Sequence, residues 1–502
     1  MEAVESISVS LRELIDSNFE WLLIRENGRT FPLRRTEIEI VEEPARTLVE
    51  VLGEEGFRAL RVCSFSIDGG EILIDVASRF GREVEKLRLV PRVSASELAA
   101  NVELARLEKA NEIATLLTEN FVGTRVVRVA LNADNGRLAQ IAFETPDREQ
   151  AVALYDITNS LTPELLLTTA VTILRELQNR KNKPVTEVWL IGEKKQARNL
   201  QKLHALLNER EKGRFRVVEI SKKKDALSLV ERRRLKINHL WREKPKKLNL
   251  PAKFEPTETA RRIIELDREK IDVIFSKQGE TLRFLGLPFA RVRTILGQEK
   301  AWFGLERNRR PLTEENWDEF EAFVEDLRAH RSPDAEHRRH ELFRAAPEAW
   351  LESILRRNIK LLDANLILSP IYNQFRASSD KIDLLAIRKD GRLVIIELKT
   401  SPDRETVFQA ADYWRKIELQ RRRGELQRAK AFGDLEILDK PALVYVVAPA
   451  LSFHRDFGSF ARMLAKDIEL WRFELHENWR SEIKVLSRRN FNESRLSTRY
   501  SN

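Results

Sequence analysis

DKIDLLAIRKDGRLVIIELKT, residues 380–400, is the stretch on which the reading of this chain turns. Two apolar runs flank Asp390-Gly391, a dipeptide that favours a tight hairpin turn. Both alternating sets of positions are rich in Ile, Leu and Val, so the strands are expected to be covered on both faces. Asp383, Glu397 and Lys399 interrupt them. Counting outward from the turn sets Asp383 opposite Glu397, and directly opposed residues share a face with Cβ atoms ~4.5–5.5 Å apart. Two carboxylates so placed suit one divalent ion, and Lys399, two residues on, projects from the same face. Left unpaired, such charges in an apolar sheet are costly; a hard cation with its waters removes the cost. It would also polarise a phosphodiester, with a lysine nearby to orient water or steady negative charge. An ordinary ion pair between Lys399 and one carboxylate is the plain alternative for a lone E-x-K. The aspartate at hairpin spacing, the apolar strands and the helix that follows count against it.

That helix is expected from Ser401 as N-cap and Pro402 as first helical residue. Gln409 and Tyr413 stand four apart on it, hence on one face, with Trp414 beside them; Tyr413 and Trp414 read equally well as plain core aromatics. Upstream, Glu348 and Glu352 also stand four apart, in PEAWLESILRRNIKLL, and either could supply a further carboxylate.

The rest of the chain frames this stretch. At 502 residues it exceeds the usual size of a single core, so two to four domains are expected. Its single cysteine excludes an internal disulfide or a thiolate zinc cluster and fits a reducing, cytoplasmic setting; Cys63, between Val62 and Ser64, reads as a core residue. The N-terminus lacks the order of a signal peptide and no apolar run nears the ~20 residues that cross a bilayer, so no membrane partner is expected. Lys and Arg number 88 against 79 acids, a net +9 that favours a polyanionic partner. The basic residues cluster at 221–253, 328–340 and 421–430. His330, His337 and His340 lack the H-E-x-x-H spacing of a zinc site, and no G-x-x-x-x-G-K-[ST] is present.

Residues 1–94 read as mixed β structure, with a hairpin at Asp68-Gly69-Gly70, and a helix is expected over 94–120. A β-β-α-β-α-β order follows, then a basic linker, then short strands and the helix WDEFEAFVEDLRAHR. From about residue 340 the order repeats that of the middle unit. GRLAQIAFETPDRE (136–149) matches GRLVIIELKTSPDRE (391–405) with one gap, which implies an internal duplication. In that alignment Arg128 stands for Asp383, Ala142 for Glu397 and Glu144 for Lys399, so the middle copy would hold no metal and would be kept for DNA contact through Arg125 and Arg128, for pairing with the active domain, or for dimerisation.

Asp383, Glu397-Leu398-Lys399 and Gln409-Ala410-Ala411-Asp412-Tyr413 together resemble the PD-(D/E)XK nuclease superfamily and the Q-x-x-x-Y element of its RecB-like branch. PEAWLESIL followed by IDLLAIRKDGRLVIIELK is also similar to the nuclease domain of NucS-type endonucleases. The match covers roughly 344–475, about a quarter of the chain. The resemblance implies an α/β restriction-endonuclease-like core with a mixed sheet, Asp383 and Glu397 as ligands of Mg²⁺ or Mn²⁺, and the Leu398 carbonyl as a third. It implies Lys399 as catalytic base or water-orienting group, Glu352 as the helix carboxylate, and Gln409 and Tyr413 beside the site and the DNA. Here Lys381-Ile382 replaces the proline of the motif name.

The expected architecture is thus multi-domain α/β. An N-terminal mixed β domain (1–120) precedes an inactive nuclease-like copy (121–220), a basic linker (221–256), a small β unit with a helix (257–340) and the nuclease domain (341–502). The expected function is metal-dependent cleavage of DNA, in repair or in defence against foreign DNA; the competing class is a non-catalytic nucleic-acid-binding protein of the same fold. RNA stays open as a substrate, as does assembly into a homodimer.

Overall fold

The computed structural model describes residues 2–43, 46–53, 56–78, 84–92, 95–178, 184–223, 226–244, 255–276, 278–295, 297–305, 308–369, 375–376 and 383–492. They form a mixed α/β chain with four sheets, divided into two compact units: 1–201 with 213–234, and 202–212 with 235–502. Lys381-Ile382 lies outside the described residues. No described helix is long and apolar enough to cross a membrane.

The first unit opens with a helix, Glu2–Asp16, within the stretch read as mixed β structure. Its Ile7, Val9 and Leu11 alternate like a strand, but Leu11 and Ile15, four apart, are the apolar residues it buries fully against the adjoining sheet. That sheet has seven antiparallel strands, with the expected hairpin pairing Asp68 with Glu71. Cys63 is exposed rather than buried: the register shifts between Val62 and Ser64, and such a bulge residue leaves the alternation that would have turned it inward. The helix Ala95–Asn120 follows as expected.

The unit's second sheet runs Arg125–Leu131, Leu138–Glu144, Gln150–Asp156, Val185–Glu193, Phe215–Lys223 and Ala226–Glu231, neighbours in chain order. The basic stretch from 221 is therefore not all linker. Leu227 and Leu229 alternate with polar residues and pack into this sheet's core, a period-2 signal hidden under the lysine count. Residues 245–254 lie outside the described set.

In the second unit, five antiparallel strands from Ile271 to Leu312, joined by Phe375–Arg376, form one sheet; Leu366–Leu368, Leu384–Arg388, Leu393–Leu398, Leu443–Pro449, Glu469–Leu475 and Val485–Asn490 form the other. The two share one apolar core, in which Phe284, Phe289, Phe303 and Phe320 join Leu384, Ile396, Leu398 and Tyr445. The small β unit and the C-terminal sheet are thus packed as one body.

The two six-stranded sheets of chain-order neighbours, one in each unit, have the same pairing sequence: antiparallel, antiparallel, parallel, parallel, antiparallel. A helix follows the third strand in both, Pro163–Gln178 and Thr406–Arg422. This corrects the alignment read from sequence by one hairpin. The counterpart of the 384–398 hairpin is 138–156, not 125–144, so Arg128, Ala142 and Glu144 are not the equivalents of Asp383, Glu397 and Lys399. Counted outward from the turns, Gln140 faces Leu154 where Asp383 faces Glu397, and Asp156 falls at the register of Lys399. The textual match misled because hairpins of similar length share turn and strand chemistry wherever they lie.

One element aims the site. The helix Pro347–Arg357 starts from Ala346 in the left-handed region (φ 41°) and rests on the Leu285-Gly286 turn. A Cβ on Gly286 would meet the Ala349 carbonyl at 1.9 Å, so the helix can seat there only on a glycine. Arg331, fully buried, donates to the carbonyls of Phe284, Leu285, Leu342, Ala345 and Ala346 at 2.7–3.4 Å. Burial, with Arg480 near, lowers its pKa to about 9, which keeps it charged at neutral pH. Replacing this fork by an ammonium strands several buried carbonyls. Arg331→Lys is expected to lose about 3 kcal/mol or more in urea titrations followed by tryptophan fluorescence, whereas Arg338→Lys, on the exposed stretch nearby, is expected to change little.

Candidate metal and catalytic site

The hairpin pairs Leu384 with Ile396 and Leu385 with Ile395, so the next step outward sets Asp383 against Glu397. Asp383 Oδ2 accepts the Leu398 N–H at 2.8 Å, which clamps the aspartate to the end of the partner strand. In a strand the N–H and C=O of one residue point the same way, so the Leu398 carbonyl is aimed toward the Asp383 side as well. Glu397 is 3% exposed, in a strand buried along its whole length. Its Oε1 lies 3.4 Å from Lys399 Nζ, while its Oε2 is buried with no hydrogen-bond partner.

Alternation divides the sheet's two faces. Leu384, Ala386, Val394, Ile396 and Leu398 join the core cluster that holds Trp350, Leu351 and Leu355 of the helix Pro347–Arg357. Glu397 and Lys399 therefore project from the other face, the one against which the helix Thr406–Arg422 packs. Gln409 and Tyr413 ride half-buried on that helix, and Lys416 Nζ lies 5.5 Å from the Tyr413 ring. Trp414 is a core residue whose indole donates to the Ala442 carbonyl at 3.0 Å. The helix begins at Thr406, not at Ser401-Pro402. Asp403 holds an intervening turn by accepting the Glu405 N–H, and its Oδ2 lies 3.1 Å from Lys399 Nζ.

Glu352 has a second engagement beside the expected one. It is buried, and its Oε1 takes the Arg283 guanidinium at 3.2 Å, with Arg356 at 3.8 Å. Arg283 also binds Asp272, so Glu352 is one member of a buried ion network reaching the neighbouring sheet. Nothing in sequence spacing signals a partner 69 residues upstream. Its charge still bears on Asp383, whereas Glu348, half-buried one turn earlier, bears on Asp383, Glu397 and Lys399 alike. Glu348 is thus the helix carboxylate with the broader electrostatic reach.

The electrostatics are those of an overcrowded pair. Burial pushes Asp383 up to about 7, Glu352 and Glu348 adding to it against the Leu398 N–H and Lys399. Burial and then Asp383 raise Glu397 well above the usual carboxylate range. Burial alone would lower Lys399, but Glu397, Asp403 and Glu348 outweigh it and raise its pKa above an ordinary lysine's. A lysine so held stays protonated and can donate to or stabilise an anion.

Among the described residues no group of three or more His, Cys, Asp or Glu side chains is arranged to hold a metal ion. What the site offers is two opposed carboxylates, one with an unpartnered buried oxygen, and a backbone carbonyl. That set fits Mg²⁺ or Mn²⁺ bound through one or two carboxylates, with waters and substrate oxygens completing the shell. The basic stretch 421–430 spends much of its charge internally: Arg421 and Arg422 on Glu418, Arg428 on Glu425, Lys430 on Asp434.

No protein-family model matches the chain, and no curated protein matches it. A solved structure, that of EndoMS in its apo form, aligns over 42% of this chain and 94% of its own at 13% identity, with a TM-score of 0.17. A likeness of that size carries no argument about fold or activity.

A raised carboxyl pKa favours the folded state at acid pH, an advantage lost as pH climbs toward the folded value. In divalent-free buffer, the melting temperature of Asp383→Asn minus that of the parent is therefore expected to grow between pH 5 and pH 8, since only the parent must ionise a second buried acid. A difference flat across that range would show that the two carboxylates do not repel.

Proposed function

We propose that this chain is a divalent-metal-dependent DNA nuclease, hydrolysing phosphodiester bonds on a restriction-endonuclease-like core of the PD-(D/E)XK type, in DNA repair or in defence against foreign DNA. The observation that carries the reading is the buried Glu397 carboxylate, set opposite Asp383 with its Oε2 unpartnered. Asp383, Glu397 and the Leu398 carbonyl would hold Mg²⁺ or Mn²⁺, which when bound supplies Lewis acidity to the scissile phosphodiester.

Lys399, kept protonated by Glu397 and Asp403, steadies the charge that develops on the phosphate oxygens and orients the attacking water. Its raised proton affinity argues for that role over catalytic base. Glu352, held by Arg283, and Glu348 supply the helix charge at the site. Gln409 and Tyr413, on the helix over the same face, are placed to touch DNA entering there. The chain's net charge of +9 supports a polyanionic partner.

The second reading, a DNA-binding protein of this fold without turnover, is favoured by the lack of a third converging acid among the described residues. Incubation of the purified chain with Mg²⁺ or Mn²⁺ and plasmid, linear, single-stranded and branched DNA, with an RNA control, separates the two. Lys399→Ala and Asp383→Asn are each expected to lower the cleavage rate by about 10²-fold or more, while DNA affinity in Ca²⁺ is retained. Full activity in Lys399→Ala would overturn the assignment of that residue, and no cleavage of any substrate by the parent would leave the binding reading.

A further inference from the structure

We infer that Arg404 and His454, one on each of the two loops that leave the carboxyl ends of adjacent parallel strands beside Lys399, seat an uncut internal phosphate of the DNA strand that enters the site. The inference rests on the reading of Asp383, Glu397 and Lys399 as a centre that engages DNA, and adds to it a second point at which the strand is held.

The two loops are tied together next to the site. The strands Leu393–Leu398 and Leu443–Pro449 run parallel, and open α/β sheets take ligands in the crevice outside the carboxyl ends of such strands. There the Lys399 N–H donates to the Val447 carbonyl and the Ser452 hydroxyl to the Thr400 carbonyl, each at 3.0 Å. The short helix Phe457–Ala461 then packs on Thr406–Arg422, with the Phe460 and Phe408 rings 5.6 Å apart. The second loop therefore lies on the face to which Glu397 and Lys399 project. Asp403, whose Oδ2 takes Lys399 Nζ, immediately precedes Arg404, and its charge reaches His454.

The pair is aimed and unspent. Arg404 Nε donates to His454 Nε2 at 3.0 Å, and His454 Nδ1 lies 3.2 Å from the Asp456 N–H and 3.6 Å from Asp456 Oδ2. The imidazole, 16% exposed, is held from both sides and so fixes the direction of the guanidinium. With Nε engaged, the two Nη groups of the exposed Arg404 meet no carboxylate among the described residues, and neither does the exposed Arg455 beside His454. Burial and then Arg404 lower the pKa of His454, Arg455 adding to them against Asp456 and Asp403, so positive charge prevails here. On the adjoining helix, by contrast, Arg415 and Lys416 are paired with Asp412, and Arg421 and Arg422 with Glu418. A planar fork held at one nitrogen and open at the other two matches two oxygens of a phosphate.

The test is binding of the full chain to a fluorescein-labelled single-stranded oligonucleotide in Ca²⁺, followed by anisotropy across a series of KCl concentrations. Arg404→Ala is expected to weaken binding about 10-fold at low salt. It is also expected to flatten the plot of log affinity against log salt by about 0.7, the share of one phosphate on a single strand. Arg404→Lys is expected to keep that slope, and Arg428→Ala, whose charge is met by Glu425, to change neither quantity. His454→Ala, which releases Arg404 without removing its charge, is expected to weaken binding at an unchanged slope. An uncharged methylphosphonate walked along the oligonucleotide is expected to reveal an internal position whose neutralisation costs the parent as much as Arg404→Ala does and costs that variant nothing more. An unaltered slope in Arg404→Ala, parental affinity in His454→Ala, or losses that add at every methylphosphonate position would overturn the inference. So would a dependence on the strand's terminal phosphate alone. None of these readouts needs turnover, so a parent that binds DNA and cuts nothing refutes the hydrolytic reading while the phosphate seat is judged separately.

Discussion

Asp383 and Glu397 stand opposite each other across a hairpin that is apolar on both faces, and most of what surrounds them answers to that juxtaposition. Two unit charges about 5 Å apart at an effective dielectric of ~20 repel by on the order of 3 kcal/mol, before the cost of taking either out of water. A fold keeps such an arrangement only if something compensates it. Lys399 does so in part, sharing itself between Glu397 and Asp403, and the Leu398 N–H bonded to Asp383 does a little more. The balance is still short, as the raised proton affinity of both acids shows. A doubly charged cation would close it in a way one ammonium cannot.

The scaffold around the pair is stiff. The helix bearing Glu348 and Glu352 is pinned at its start by the carbonyls gathered on Arg331, by the glycine that lets it approach the Leu285 turn, and by Arg283 gripping Glu352. Each contact comes from the sheet built by residues 271–312 or from the chain leading out of it. That sheet and the C-terminal one share a core, so the upstream β structure is the bed on which the site's helix is aimed. The helix's electrostatic reach to Asp383 is therefore a built-in feature, not a surface accident.

What could be read from the sequence was what lies close along the chain. The hairpin register followed from counting outward from Asp390-Gly391, because a tight turn fixes its own pairing. The mixed sheet's strands and the helix over 95–120 followed from periodicity. Misses came where the deciding partner is distant or the local pattern ambiguous. The Arg283 partner of Glu352 lies 69 residues away, and Ser401-Pro402 is not the helix start because the Asp403 turn intervenes. Leu227 and Leu229 were lost in a basic run, and Cys63 was turned outward by a bulge that no single-residue propensity announces. The repeat was visible in the words of two hairpins and yet one hairpin out of step, because pairing order, not local wording, defines equivalence.

The middle sheet supplies an internal control on the cost of a buried acid near the open end of such a hairpin. Asp156 shows that a carboxylate at the open end of the hairpin can be made inexpensive: place it opposite a leucine, follow it with a threonine and a turn that returns N–H groups to it, and every lone pair is met. The C-terminal sheet, with the same topology, offers none of that to Glu397 and adds a second acid across from it. The fold therefore does not demand the repulsive arrangement: at the same register the middle hairpin sets Gln140 against Leu154. Retaining the costly version beside a protonated lysine is the mark of a site whose stabilisation comes from what binds it rather than from what surrounds it.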